Sequence, residues 1–406
     1  MGYADYLRYG KHVFTKRGAD PIYVVLFVTD ICTAKCEHCL WGITPLEGND
    51  LSFDELSKTA DHMAPFLFLL ISGGEPFLRI DLPDIIEMFH KKCGVLNTGI
   101  PTNGSLTTRV IKGARKVLES CPKMDFAIDV SIDAIGDDHD DIRKTPGLFQ
   151  KACWTYRELQ KLRKEFPRFN VNVAITVQEK NHEKLDSIYG YLKKELGVTG
   201  ITNLVVRGGK TLGDKAMDKE LEWGGPTGRP RALESKNFDP GNYVKFGDLL
   251  KKERVQNAMA AYAGQPFGDV LSAMQNVRQD MISKILVEDK QQLPCYAGTL
   301  SGVIQNNGVV YPCELLEEPI GDLRKVDYDF KSIWRTPRAE EIRRRIDETK
   351  CHCTYECFMT NSIIFTPRAY GKLAREVLEI KIGRFMSRWK TGQSVDEIRQ
   401  IPAASA

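Results

Sequence analysis

The chain has 406 residues and a formal net charge of +3, with 42% hydrophobic and 27% charged residues. That length suits one large domain with a smaller one attached, and the charge is too mild to argue for a nucleic-acid partner. Residues 1–14 contain no unbroken apolar core, and no apolar run approaches the roughly 20 residues of a membrane span, so a cytoplasmic protein with reduced thiols is expected.

Residues 1–21 form an N-terminal extension, and from residue 22 short β-rich runs alternate with helical patterns. "IYVVLFVTD" (22–30) predicts a first strand, and the loop "CTAKCEHC" (32–39) follows it. A helix over 53–66 leads to a second strand, "LFLLIS" (67–72), and then to "GGEP" (73–76). Helix 82–93 precedes strand and turn "LNTGIPTNG" (96–104), and helix 107–121 precedes strand "DFAIDVSIDA" (125–134). Helix 149–166, strand 170–177, helix 183–197 and strand 200–209 complete six units. Strands alternating with helices argue for a parallel sheet, and right-handed crossovers curl it. The fold class is therefore α/β, a partial (βα)6 barrel of TIM type over 22–210, open where a closed barrel would have eight strands.

Residues 211–290 read as a Gly/Pro-rich lid or linker followed by a helical stretch over roughly 242–287. A small hairpin/helix module spans 291–362, with a turn expected at Asn306-Asn307-Gly308. Residues 363–406 hold an amphipathic helix, 367–390, and a tail; its basic residues beside an apolar side suit packing on its own domain or peripheral contact with an anionic membrane.

The cysteines cluster. Cys32, Cys36 and Cys39 share one loop, and Cys295, Cys313, Cys351, Cys353 and Cys357 lie in the C-terminal module. In a reducing compartment such clusters suggest metal before disulfide. Three thiols are one too few for a four-iron cluster, which leaves one iron open to a ligand. A zinc site completed by His38 is the alternative, although His38 lies between two of the cysteines it would have to join. The loop follows the first strand, and "GGEP", "TNG", "SIDA" and "RGG" follow later strands, so all converge on the C-terminal rim where barrel enzymes hold their chemistry.

Cys32-x3-Cys36-x2-Cys39, Gly73-Gly74-Glu75-Pro76 and the six units resemble the radical S-adenosylmethionine (radical SAM) superfamily over roughly residues 22–209. The resemblance implies a 4Fe–4S cluster on Cys32, Cys36 and Cys39 whose open iron takes S-adenosylmethionine. One electron from a low-potential donor such as flavodoxin or ferredoxin splits the sulfonium, and the 5′-deoxyadenosyl radical takes hydrogen from an unactivated carbon. It implies further that Gly73, Gly74, Glu75 and Pro76 approach the cofactor's amino group, and that Ser131 and Arg143 hold its carboxylate. For Arg143 a surface ion pair is the other reading. Asn103 and Thr176 would meet the ribose or methionine part, and Val206 with Arg207 the adenine.

Cys295-x12-Gly308-x4-Cys313 resembles the opening of the SPASM/twitch modules that bind auxiliary 4Fe–4S clusters. Five thiols fully ligate one such cluster, so one auxiliary cluster is expected, on Cys295, Cys313, Cys357 and one of Cys351 or Cys353. A structural zinc is the alternative. The spare thiol is structural, a hydrogen-atom donor or an alternative ligand. Glu314 matches an acidic residue that acts as base in sulfatase-maturing relatives, though it also opens an acidic run with Glu317 and Glu318.

The expected activity is an oxidoreductase or carbon-bond-modifying enzyme. Relatives that modify peptides usually carry an N-terminal peptide-binding domain, and only about 21 residues precede the first strand here. A small-molecule, sugar or lipid-precursor substrate is therefore expected, with a peptide as the alternative. A two-cluster electron carrier would have no use for Gly73–Pro76, Ser131 and Arg143; a zinc-binding RNA-interaction protein fits the charge poorly.

Overall fold

A computed structural model of the chain describes residues 4–16, 18–36, 38–39, 49–206, 238–256, 262, 267–316 and 318–391. The expected lid, most of it within 207–237, and Arg207 lie outside them. After a short helix, α1 (Ala4–Leu7), come strands β1 (Tyr23–Phe27), β2 (Phe68–Ser72), β3 (Asn97–Thr102), β4 (Asp125–Ser131), β5 (Phe169–Val177) and β6 (Ile201–Val205), joined by helices. These are α2 (Phe53–Asp61), α3 (Leu82–Cys93), α4 (Thr107–Ser120), α5 (Asp137–Ile142), α6 (Leu148–Glu165) and α7 (Leu185–Leu196). The six strands pair in parallel in chain order, as βα alternation requires.

The helical stretch over roughly 242–287 comprises two helices, α8 (Pro240–Val255) and α9 (Gly268–Glu288). Strands β7 (Ser301–Ile304), β8 (Val309–Tyr311) and β9 (Gly321–Asp322) follow, then α10 (Phe330–Trp334), α11 (Pro337–Glu348), α12 (Glu356–Ile364) and α13 (Tyr370–Thr391). The β7–β8 hairpin turns where its sequence indicates. Gly308 takes φ of +91°, and Asn307 Oδ1 accepts the Val309 N–H at 3.1 Å.

The hairpin does not stand apart. β7 pairs in parallel with β1, Tyr23 opposite Ser301, so one nine-stranded sheet runs β6-β5-β4-β3-β2-β1-β7-β8-β9. Nothing in the period of either strand announces this partnership; it rests on β1 being buried on both faces. Side chains fasten the same seam. Ser52 and Glu55 cap α2 reciprocally, and Glu55 also accepts from Arg324 Nε at 2.9 Å and from the Tyr328 hydroxyl at 2.6 Å. Trp334, buried, donates Nε1–H to the Ala19 carbonyl at 3.0 Å.

β4 alternates along its length: Phe126, Ile128 and Val130 are buried towards the helices, while Ala127, Asp129 and Ser131 are half-buried on the opposite, inner face. The register places Asn172 and Ala174 of β5 beside Asp129 and Ser131. This inner face, with the C-terminal rim above it, is where the candidate groups meet. Among the described residues, no helix is long and apolar enough to cross a membrane. On α13, Leu378, Ile382 and Phe385 are exposed, while Ile380 and Glu376 are buried.

Candidate active site

The cysteine loop is held by the turns around it. The Gly74 and Glu75 N–H groups donate to the carbonyls of Thr29 and Ile31, at 2.9 and 2.8 Å, which places the "GGEP" turn flat against the stem of the loop. A Cβ on Gly73 would lie 2.4 Å from the Thr29 carbonyl oxygen, and one on Gly74 2.1 Å from that of Ile31; Gly73 also has φ of +136°. Both positions admit glycine alone. The close approach these glycines permit in this structure is backbone to backbone.

Glu75 points inward and is 1% exposed. Its carboxylate accepts from Thr102 Oγ1 and the Asn103 N–H, both at 2.8 Å, and from the Phe77 N–H at 3.3 Å. Burial pushes its pKa up to about 7, against these donors, which favour the ionised form. The next strand end then fixes the loop itself. Asn103 Nδ2 donates to Thr33 Oγ1 at 2.9 Å and lies 3.7 Å from Cys32 Sγ, while its Oδ1 accepts the Ser105 N–H at 2.9 Å. Both ends of the Asn103 carboxamide are therefore engaged within the protein.

A second group of side chains closes the far side. Arg143, 7% exposed, donates Nε–H to Asp133 Oδ2 at 2.8 Å, and its carbonyl accepts the Lys35 N–H of the loop at 3.2 Å. This ion pair is buried, so the surface reading of Arg143 fails, and among the described residues its terminal guanidinium nitrogens form no hydrogen bond. Asp133 Oδ1 accepts the Thr176 N–H at 2.8 Å, its N–H donates to His139 Nδ1 at 3.0 Å, and Asn181 donates to its carbonyl at 2.9 Å. Burial works to raise the Asp133 carboxyl, but Arg143, His38 and His139 together hold it below the ordinary range. Burial lowers His139 to about 4, so it is neutral and can accept that bond. His38 Nε2 lies 3.8 Å from Asp133 Oδ2, and its Nδ1 lies 3.3 Å from Gln178 Nε2. His38 thus turns towards the strand ends, away from the role of a fourth metal ligand.

Asp133, Asn181 and Gln178 carry this network and were not singled out by the sequence. A carboxylate two residues beyond Ser131 shares its face of the strand, and that alternation is the signal that could have found Asp133. Ser131 and Thr176 are half-buried at the ends of β4 and β5, and Val206 is half-buried just past β6.

Cys32 is exposed, and Cys36 and Cys39 are half-buried; all three are free thiols. Burial pushes Cys36 up to about 11, with the Arg143 guanidinium pulling the other way. Among the described residues, no three such side chains converge as one metal ion requires. Three free thiols on one loop beside a guanidinium suit a cluster that keeps one iron open.

In the C-terminal module Cys313 and Cys351 are buried, and Cys295 and Cys353 are half-buried. Cys295 and Cys351 share a hydrogen bond, Cys313 lies within electrostatic reach of both, and Cys353 within reach of Cys313 and Cys351. Cys357 instead adjoins the Tyr23 hydroxyl. Cys295, Cys313, Cys351 and Cys353 thus neighbour one another in this structure, with Cys357 half-buried at the start of α12. Glu314, 8% exposed, accepts from the Tyr355 hydroxyl at 2.5 Å and faces the same Tyr23. Cys93, Cys121 and Cys153 are buried away from both clusters.

Residues 26–192 match the family model of the radical SAM superfamily, and residues 295–358 match an iron–sulfur cluster-binding domain, SPASM. Among curated proteins, the chain is 26% identical over 343 residues to the antilisterial bacteriocin subtilosin biosynthesis protein AlbA of Bacillus subtilis, covering 82% of this chain and 65% of that one. It is 30% identical over 202 residues to Fe-coproporphyrin III synthase of Methanosarcina barkeri, 47% of this chain and 48% of that one. To pre-heme d1 synthase of Dinoroseobacter shibae it is 24% identical, over 86% and 83% of the two chains. Matches to the first two thus leave a third or more of each relative unspanned. Among solved structures, anSMEcpe with bound AdoMet and a peptide aligns at 15% identity and TM-score 0.53, over 89% of this chain and 99% of that one. Streptococcus suis SuiB bound to its precursor peptide aligns at 13% identity and TM-score 0.53, over 84% and 70%.

Proposed function

Because the chain belongs to the radical SAM superfamily and carries a SPASM iron–sulfur module, we propose that it abstracts hydrogen from carbon of a substrate lying on the inner face of the sheet, below Cys32, Cys36 and Cys39. The family's cofactors, 4Fe–4S clusters and S-adenosylmethionine, supply the radical chemistry. One observation carries the reading: the cysteine loop, the "GGEP" turn, Asn103 and the Asp133–Arg143 pair are bonded into a single rim.

The residues divide the work. Cys32, Cys36 and Cys39 ligate the catalytic cluster. Asp133 takes the Nε edge of Arg143, whose outer nitrogens would hold the carboxylate of S-adenosylmethionine. Gly73 to Pro76 set the height of the loop against β1, and Glu75 with Asn103 keeps that height fixed. Ser131, Thr176 and Val206 line the cofactor's bed. Cys295, Cys313, Cys351 and Cys353 ligate an auxiliary cluster, and Glu314, oriented by Tyr355, serves as base.

The substrate reading is a small molecule, supported by the coverage shared with pre-heme d1 synthase, which is the most even of the three relatives. Similarity to the subtilosin biosynthesis protein favours a peptide instead. Anaerobically reconstituted, dithionite-reduced protein should release 5′-deoxyadenosine from S-adenosylmethionine. A Cys32/Cys36/Cys39→Ala triple variant should release none and fall from about eight irons to about four. Wild type that holds its iron and releases no 5′-deoxyadenosine overturns the proposal.

A further inference from the structure

Helix α13 carries apolar side chains on two opposite sides, and the fold covers one of them. The inward seam runs from Ala369, just before the helix, through Leu373, Glu376, Ile380 and Gly383, at the three- and four-residue spacing of one helix face. Ala369, Glu376 and Ile380 are buried, and Leu373 packs against the cluster that Ala369 forms with Val277, Met281 and Ile285 of α9. A Cβ on Gly383 would lie 2.1 Å from the Val255 carbonyl oxygen, so the helix sits directly on the end of α8. The charges along this seam are paired within the protein. Glu376 accepts from Lys251 at 2.6 Å and from Asn276 at 3.1 Å, Lys372 pairs with Asp280 at 2.8 Å, and Arg384 pairs with Asp269.

The outward side is a second apolar stripe. Leu378, Ile382, Phe385 and Met386, at i, i+4, i+7 and i+8, fall within about 100° of arc and are each 44% to 68% exposed. Single exposed apolar side chains are ordinary, but four together on one helix face mark a surface that something covers. Charge narrows what that is. Residues 370–391 hold six Lys or Arg against two Glu. Both carboxylates are already neutralised, Glu376 by Lys251 and Glu379 by Arg375 at 2.9 Å. Lys381, which flanks the stripe, is exposed and has no partner among the described residues. The excess charge beside the stripe is positive, so it suits a negative cover.

A second copy of the chain would set like charge against like. One stripe of four side chains also falls short of the roughly 800 Å² per partner that a stable protein complex buries. An anionic bilayer meets both needs: its acyl boundary takes the apolar side chains and its headgroups take the cations, with no matched protein surface required. We propose that α13 docks this protein on an anionic phospholipid membrane. The helix lies in the plane of the interface, with Leu378, Ile382, Phe385 and Met386 inserted and Lys381 among the headgroups. The seam on α8 and α9 holds it to the body of the protein, so docking is contact from one side. It does not depend on the chemistry at the rim.

The test floats the reconstituted full-length holoprotein with vesicles of phosphatidylcholine, alone or with about 30% phosphatidylglycerol, at about 0.1 M salt. Anionic vesicles should carry at least about tenfold more wild type than neutral ones, and about 0.5 M salt should weaken that binding severalfold. Ile382→Ser/Phe385→Ser should lower binding about tenfold or more, and Lys381→Glu about fivefold. These three side chains face solvent, so iron content, Tm and 5′-deoxyadenosine release measured without vesicles should match wild type. The proposal is overturned if wild type does not float with anionic vesicles, if it floats equally with neutral ones, or if the folded double variant and Lys381→Glu float as well as wild type. It is also overturned if sedimentation equilibrium shows a dimer that the double variant makes monomeric, because the stripe then covers a second copy.

Discussion

The two cysteine clusters are built in opposite ways. At the rim, three thiols sit on an exposed loop whose position is set from outside, by glycine turns and by a buried glutamate. In the C-terminal module, four neighbouring thiols come from three separate stretches into a nest, Cys313 and Cys351 buried and Cys295 and Cys353 half-buried. Among metal sites generally, an incomplete ligand set leaves a position for a reactant and a complete one makes a structural or redox centre. The contrast supports the proposed division, with radical chemistry at the rim and an auxiliary cluster in the C-terminal module. It also explains where each site is vulnerable: the rim through its supports, the nest through its ligands.

The largest effect should come from the rim's support. In Gly74→Ala the new methyl carbon would lie 2.1 Å from the Ile31 carbonyl oxygen, so the turn must leave β1. We expect a stability loss on the order of 3 kcal/mol by denaturant titration. The release of 5′-deoxyadenosine should fall by about 100-fold or more as the loop is misplaced. If Gly74→Ala is as active as wild type, the supports do not set the rim.

Next in size is a paired test of the nest. Cys351→Ser should lose about four irons per chain, and Cys357→Ser should keep about eight. The reverse pattern would show that binding the cluster reorders the thiols to the spacing the sequence suggested.

A smaller, pH-dependent effect separates Glu75 from the thiols it supports. Its folded pKa of about 7 lies above the ordinary 4.5, so its contribution favours the folded state in acid and is lost as pH rises between those values. Glu75→Gln keeps hydrogen-bond acceptance but carries no charge. The stability difference between wild type and variant should therefore shift against wild type by on the order of 3 kcal/mol from pH 4.5 to pH 7. A flat difference would mean that Thr102, Asn103 and Phe77 keep Glu75 ionised throughout.

What the sequence made legible follows the same division. The rim was readable because its parts recur at a fixed place, just after each strand, and because Cys32, Cys36 and Cys39 are close neighbours in the chain. Six strands and their parallel order followed from periodicity. The nest was only half readable, since which of Cys351, Cys353 and Cys357 turn inward depends on the path between α11 and α12, and no spacing rule encodes that path. Asp129, and Asp133 two residues past the end of β4, were hidden for another reason: a carboxylate in line with an alternating strand reads as an exposed position until the curvature of the sheet gives that face an interior. The pairing of β7 with β1 was invisible because two strands buried on both faces carry no pattern that names a partner.

That last pairing shapes how the protein is made. Tyr23 finds Ser301 only after most of the chain has been synthesised, on the order of tens of seconds at ribosomal speeds. Until then β1 presents an apolar, unpaired backbone edge, of the kind to which other growing chains adhere. The hairpin that carries Cys313 is thus also the piece that covers this edge. Nascent chains stalled before residue 301 should depend on chaperones far more than those released whole, which couples delivery of the iron–sulfur module to escape from aggregation.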